Sequence, residues 1–174
     1  MVRIASILAV AALCGCGPIP FNAQVKGETV VEGSPLGQVL SVFPQLGGFA
    51  NIDFNANEDF KNNDATRDRV KSMKVTSFTL RIVSPADQDF RFLESLEFAV
   101  RSGDLEQKIA SKSGIDTLPL NAPNPTLTLD LVDTDLASFV RSPAMTIVSR
   151  GTGHQPAKDT RIEATVKFVV GVGL

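Results

Sequence analysis

The closing stretch of the chain limits its possible folds more than any other. Ile162, Ala164, Val166, Phe168, Val170 and Val172 occupy alternate positions, with Arg161, Glu163, Thr165 and Lys167 between them. A period of two over so long a run is that of a β-strand with one face in a core and the other in water. The run contains no Pro, so both of its hydrogen-bonding edges can take a neighbour. A central strand in an antiparallel sheet, wet on one side, is the expectation.

Weaker signals of the same kind run through the rest of the chain. Gln24 to Glu32 reads as a first strand on Val25, Thr29, Val30 and Val31. Ser34-Pro35 has the chemistry of a helix start, and Leu36, Val39, Leu40 and Phe43 follow at helical spacing before Pro44. Phe49 to Asn57 alternates as a half-buried strand, and residues 58–69 form a polar connection. From Val70 to Val83 a long strand changes parity: Met73 and Val75 share one phase, and Phe78, Leu80 and Ile82 the other. A β-bulge, or a crossing between sheets, is expected near Thr76-Ser77. Phe90, Phe92, Leu96, Phe98 and Val100 keep one parity around a polar kink at Glu94-Ser95, and Leu105 to Ser111 returns as a short strand. After a Pro-, Gly- and Asn-rich loop over 113–125, Leu127, Leu129 and Leu131 alternate in one strand. Leu136, Phe139 and Val140 mark a short helix stopped by Pro143, Met145 to Ser149 a strand, and 151–156 a flexible hairpin loop.

These segments predict an all-β fold, an antiparallel β-sandwich of about eight strands with two short connecting helices. It resembles immunoglobulin-like domains in strand count only, since the Cys…Trp…Cys hallmark is missing. A closed β-barrel is the alternative.

The N-terminal segment carries a different message. Arg3 precedes an apolar run, Ile4 to Leu13, of about ten residues, which fits the core of an export signal and is too short to span a bilayer. Leu13-Cys14-Gly15-Cys16 then resembles the bacterial lipobox, departing from it only in Cys14 at the permissive middle position. The resemblance implies cleavage after Gly15 and a diacylglyceryl group on Cys16. It also implies Gly17 where an Asp would favour inner-membrane retention, so the outer membrane of a bacterial cell envelope is the expected location. The organisation expected is a signal peptide over 1–15, a lipidated Cys and short tether over 16–24, and a single sandwich domain over 25–174.

Composition narrows function mainly by exclusion. Loss of Arg3 leaves 16 basic side chains against 19 acidic ones, with the signs interspersed, so nucleic acid is not an expected partner. Beyond Cys16 there is no cysteine, which excludes a disulfide, a Cys₄ zinc site and a thiol nucleophile from the body. The aromatic residues are eleven Phe with no Trp or Tyr, so carbohydrate binding through stacking platforms is not expected. A core role for the Phe residues is expected.

Candidate sites are few. His154, the single histidine, lies between Gly153 and Gln155 with no nucleophile-elbow motif in the chain. Asp53, Asn55, Asn57, Asp59 and Asp64 are spaced like the opening of a calcium loop, but Glu58 stands where such a loop needs Gly, and Asp64 where it needs Glu. Calcium is therefore a weak candidate, and no other cofactor is expected. Asp87, Asp89, Glu94 and Glu97 form an acidic neighbourhood that reads as turns and a solvent face. The expected protein is a non-enzymatic, lipid-anchored binding or structural module whose partners are the membrane and another envelope protein. The alternative is a carrier or chaperone for an apolar ligand or acyl chain.

Overall fold

A computed structural model describes residues 17–40 and 42–173. The expected signal peptide and Cys16 lie outside the described residues. The chain forms two antiparallel sheets packed face to face, without a closed barrel. In the first sheet the order is β1 (Ile19–Val31), β9 (Thr160–Val172), β3 (Val70–Ser84) and β6 (Thr126–Thr128). In the second it is β2 (Val39–Leu40), β8 (Thr146–His154), β4 (Leu93–Ser102), β5 (Leu105–Ser113) and β7 (Asp130–Leu131).

The closing strand is central, as its alternation predicts. β9 pairs along its whole length with β1, from Ile19↔Val172 to Val31↔Thr160, and on its other edge with β3. The parity change in β3 is a register shift between Val75 and Ser77, which turns Phe78, Leu80 and Ile82 into the core. A further shift, between Leu93 and Ser95, accompanies the kink read at Glu94-Ser95.

Phenylalanine forms the contact between the layers. Phe98 of β4 meets Phe78 of β3 at 4.4 Å between ring centroids. Phe43 packs on Phe98, and Phe49 on Phe78, each edge to face. A second cluster joins Phe21, Phe60, Phe54 and Phe168. Edge-to-face rings place positive ring edges against negative ring faces, which adds orientation to the burial of apolar area.

Several local expectations are corrected. The helix expected from Ser34 to Phe43 is a turn followed by β2, because Gly37 takes φ +59° and Leu36 and Val39 stay exposed while Leu40 and Phe43 are buried. The strand expected over Phe49 to Asn57 is a loop that makes one isolated bridge, Ile52↔Met145, just before β8 and accepts at Phe49 O from the Ile147 N–H of β8. Asn51 at φ 51° breaks its extended path, although Phe49, Ile52 and Phe54 still reach the core. The tether read over 16–24 is mostly strand, since β1 starts at Ile19. The hairpin loop read over 151–156 is β8 as far as His154, whose glycines allow close packing: a Cβ on Gly151 would stand 2.8 Å from Leu96 Cδ2.

Of the two expected helices, one is α2 (Ala137–Val140), packed through Leu136, Phe139 and Val140. The other short helix, α1 (Glu58–Asn62), lies in the polar connection and buries Phe60. The run from Leu127 to Leu131 is two strands in different sheets: β6 pairs with β3, the chain crosses, and β7 pairs with β5. Among the described residues no helix is long and apolar enough to cross a membrane.

Candidate functional site

The calcium-like residues do not converge. Asn57 caps α1, accepting from the backbone N–H of Asp59 at 3.0 Å and of Phe60 at 3.3 Å, and its amide donates to Gln24 O. Asp59 accepts from Gln24 N–H at 2.8 Å, Asp53 from Asn55 N–H, and Asn55 from Arg67 N–H. Their oxygens thus close a loop and cover the outer edge of β1 near Gln24, where an open strand edge would otherwise be exposed. Glu28, further along, is covered by a two-bond bridge to Gly47. Among the described residues no three His, Cys, Asp or Glu side chains group as metal ligands would.

His154 is exposed at the end of β8, opposite Val39. The acidic neighbourhood is dispersed among separate partners. Asp87 pairs with Lys158 at 2.7 Å, and that hydrogen bond holds its carboxyl below the ordinary value. Asp89 accepts from the backbone and side chain of Arg91. Burial works to raise its pKa, but these bonds outweigh it and the value is lowered.

What the fold does assemble lies on the second sheet. A groove of about 550 Å³ runs past Ser95, Glu97, Ser111, Lys112, Arg150 and Thr152, with Val42 and Asp130 at its margins. It forms because β8 and β5 flank β4 in register: Glu97 stands opposite Arg150 on one side and Ser111 on the other. From Glu97 and Arg150 a network of alternating charges extends beyond the groove across three strands. Lys108 meets Glu97 at 3.5 Å, Glu97 meets Arg150 at 3.5 Å, Arg150 meets Glu106 at 2.6 Å, and Glu106 meets Arg101 at 2.6 Å. Hydrogen bonds from Arg101 and Arg150 hold Glu106 below its ordinary value. Lys112 bridges to Asp130 of β7 at 3.0 Å, and Ser95 shares a hydrogen bond with Thr152 at 2.8 Å.

Each of these charged groups already has an opposite partner, so the face offers neutralised, hydrogen-bonding surface rather than an activated nucleophile or an anion trap. Val42 brings an apolar side chain to the groove, and Leu36 and Val39 continue the exposed apolar surface along the same segment. Reading along the chain cannot find this site. Its members come from β4, β5, β7 and β8, and only the register brings Glu97, Arg150 and Glu106 together.

No protein-family model matches the chain, and no curated protein matches it in sequence. Among solved structures it is similar to the decameric BFDV capsid protein, at 6% identity and a TM-score of 0.41, over 88% of this chain and 98% of that one. It is also similar to a chain of Cocksfoot mottle virus, at 8% identity and a TM-score of 0.30, over 100% of this chain and 96% of that one.

Proposed function

We propose that the protein is a lipoprotein of the bacterial cell envelope whose β-sandwich is a non-enzymatic binding or structural module. The observation that carries this reading is Leu13-Cys14-Gly15-Cys16 after a short apolar run. It is supported by β1 starting at Ile19, which leaves only Gly17 and Pro18 between Cys16 and the sandwich. With Gly17 after the acylated residue, the outer membrane is the favoured location. The acyl chains confine the domain to the bilayer surface and raise its effective concentration toward a neighbouring envelope protein. The partner-facing surface is the groove over β8, β4 and β5. The ring contacts among Phe43, Phe98, Phe78 and Phe49 favour a filled core over the carrier alternative.

Cys16→Ser tests the anchor. The variant is expected in the soluble fraction of lysed cells and without metabolic labelling by a fatty-acid analogue. Retention of the unlabelled variant in the membrane fraction would sink the reading.

A further inference from the structure

The end of the sandwich where β1 begins brings several cations together. Ile19 and Val70 flank Val172 in one row of the first sheet. Arg69 precedes that row and donates from Nε to Gly173 O at 3.1 Å, while Gly173 N–H donates to Arg69 O at 2.9 Å. Arg141, from the end of α2, donates to Val70 O at 2.9 Å. Lys71 lies across Gly173, where an added Cβ would stand 2.6 Å from its Cε. Pro18 is at the same place, near Gly171.

Among the described residues, carboxylates pair with most other cations of the sheets, but not with Arg69, Lys71 or Arg141. Asp68, adjacent to Arg69 in the chain, lies 3.8 Å from Arg67 and is 76% exposed. Net charge and chain order hide this cluster. Arg69 and Lys71 are near neighbours in the chain, but Arg141 joins them from about 70 positions away in the sequence, and their sum is lost in an acidic total.

We propose that this end of the domain is a second, electrostatic membrane contact, with Arg69, Lys71 and Arg141 facing anionic lipid headgroups. The inference rests on the lipid-anchor reading, because acyl chains on Cys16 would hold this end, and no other, against the bilayer. A lipid and a basic patch together make a firmer and more oriented attachment than either alone. Each cation held near an anionic surface shifts the balance about fivefold toward contact.

The test uses the full acylated protein in vesicles of phosphatidylcholine, with or without anionic phosphatidylglycerol. Because the body has no other cysteine, Thr66→Cys gives one reporter at this end and Ala157→Cys one at the opposite end. The rate of reaction with a water-soluble maleimide is measured at each. The expected result is about tenfold slower reaction at position 66 in anionic vesicles than in neutral ones, with no change at position 157. High salt should restore the rate, since it screens exposed charges. Lys71→Glu should relieve the protection and Asp68→Asn should deepen it, and both changes fall on exposed side chains. Equal rates at position 66 in the two vesicle types, with the protein floating on both, would overturn the contact and leave the anchor standing. Equal slowing at both positions overturns it too. Protein that fails to float with neutral vesicles refutes the anchor, and the contact with it.

Discussion

The contact between Phe98 and Phe78 should carry a large part of the stability, because it joins the two sheets at the centre of the sandwich. Both rings are 0% exposed, and their centroids are 4.4 Å apart. Phe98 also holds Phe43, so Phe98→Ala would remove ring contacts on two sides and leave a void between two layers that cannot easily collapse. Buried Phe→Ala changes cost about 3–5 kcal/mol, against a total stability of about 5–15 kcal/mol for a domain. With a urea slope of about 2 kcal/mol per molar, the midpoint should fall by about 2 M. Far-UV circular dichroism can follow the transition, which suits a chain without Trp or Tyr. The double variant with Phe78→Ala should lose less than the sum of the single losses, by about 0.5–1.5 kcal/mol beyond area burial. Val30→Ala, at a half-exposed edge position, should move the midpoint little. A Phe98→Ala midpoint that moves no more than that of Val30→Ala would refute the cross-sheet role.

Two further outcomes follow from the geometry. Gly153→Ala should cost about 2 kcal/mol or more, since Gly153 has φ +148° and a Cβ there would be driven into the Phe92 carbonyl oxygen; a thermal melt equal to that of the parent would disprove the close approach. Glu106 is held below its ordinary value of 4.5 by hydrogen bonds from Arg101 and Arg150, so its stabilising contribution is present above that pH and is lost as pH falls through the lower folded value. Glu106→Gln should therefore melt lower than the parent near pH 7 and converge with it in acid; a gap that widens in acid would contradict the sign.

The sequence was most legible where one physical demand acted alone. β9 has to bury one face and wet the other, and nothing else competes, so its alternation was sufficient. The bulge in β3 could be read for the same reason, as a slip in an otherwise clean pattern. The misreadings arose where a second demand acted. Phe49, Ile52 and Phe54 are buried because a loop must also bury its apolar side chains, and the alternation of Ala50, Ile52, Phe54 and Ala56 imitated a strand. The glycines of β8 looked like loop punctuation, yet Gly151 and Gly153 are small because Leu96, Phe43 and the Phe92 carbonyl come close. Leu36, Val39, Leu40 and Phe43 kept helical spacing, but Gly37 at φ +59° diverts the chain within that stretch. The groove and the basic end were illegible for a different cause: strand register assembles the groove from distant segments, and the basic end is completed only where Arg141 reaches Val70, which no local period encodes.

The two surfaces also constrain each other. Glu97, Arg150 and Thr152 lie toward the end of β8 and β4 marked by the Leu93↔Gly153 pair, while Arg69, Lys71 and Arg141 lie at the end where β1 starts. Over the 13 residues of β1 the sandwich spans roughly 40 Å, at about 3.3 Å per residue. Were the tether long and pliable, that separation would say little about which part of the domain meets a partner. With Gly17 and Pro18 alone before the strand, acylation at Cys16 would fix one end against the headgroups and turn the far half, with the groove and the exposed Leu36, Val39 and Val42, away from the membrane. A partner for the groove must then present its own surface above the bilayer, between the middle of the sandwich and its far end. Lengthening the chain between Cys16 and Ile19 should weaken that partnership without altering the sandwich.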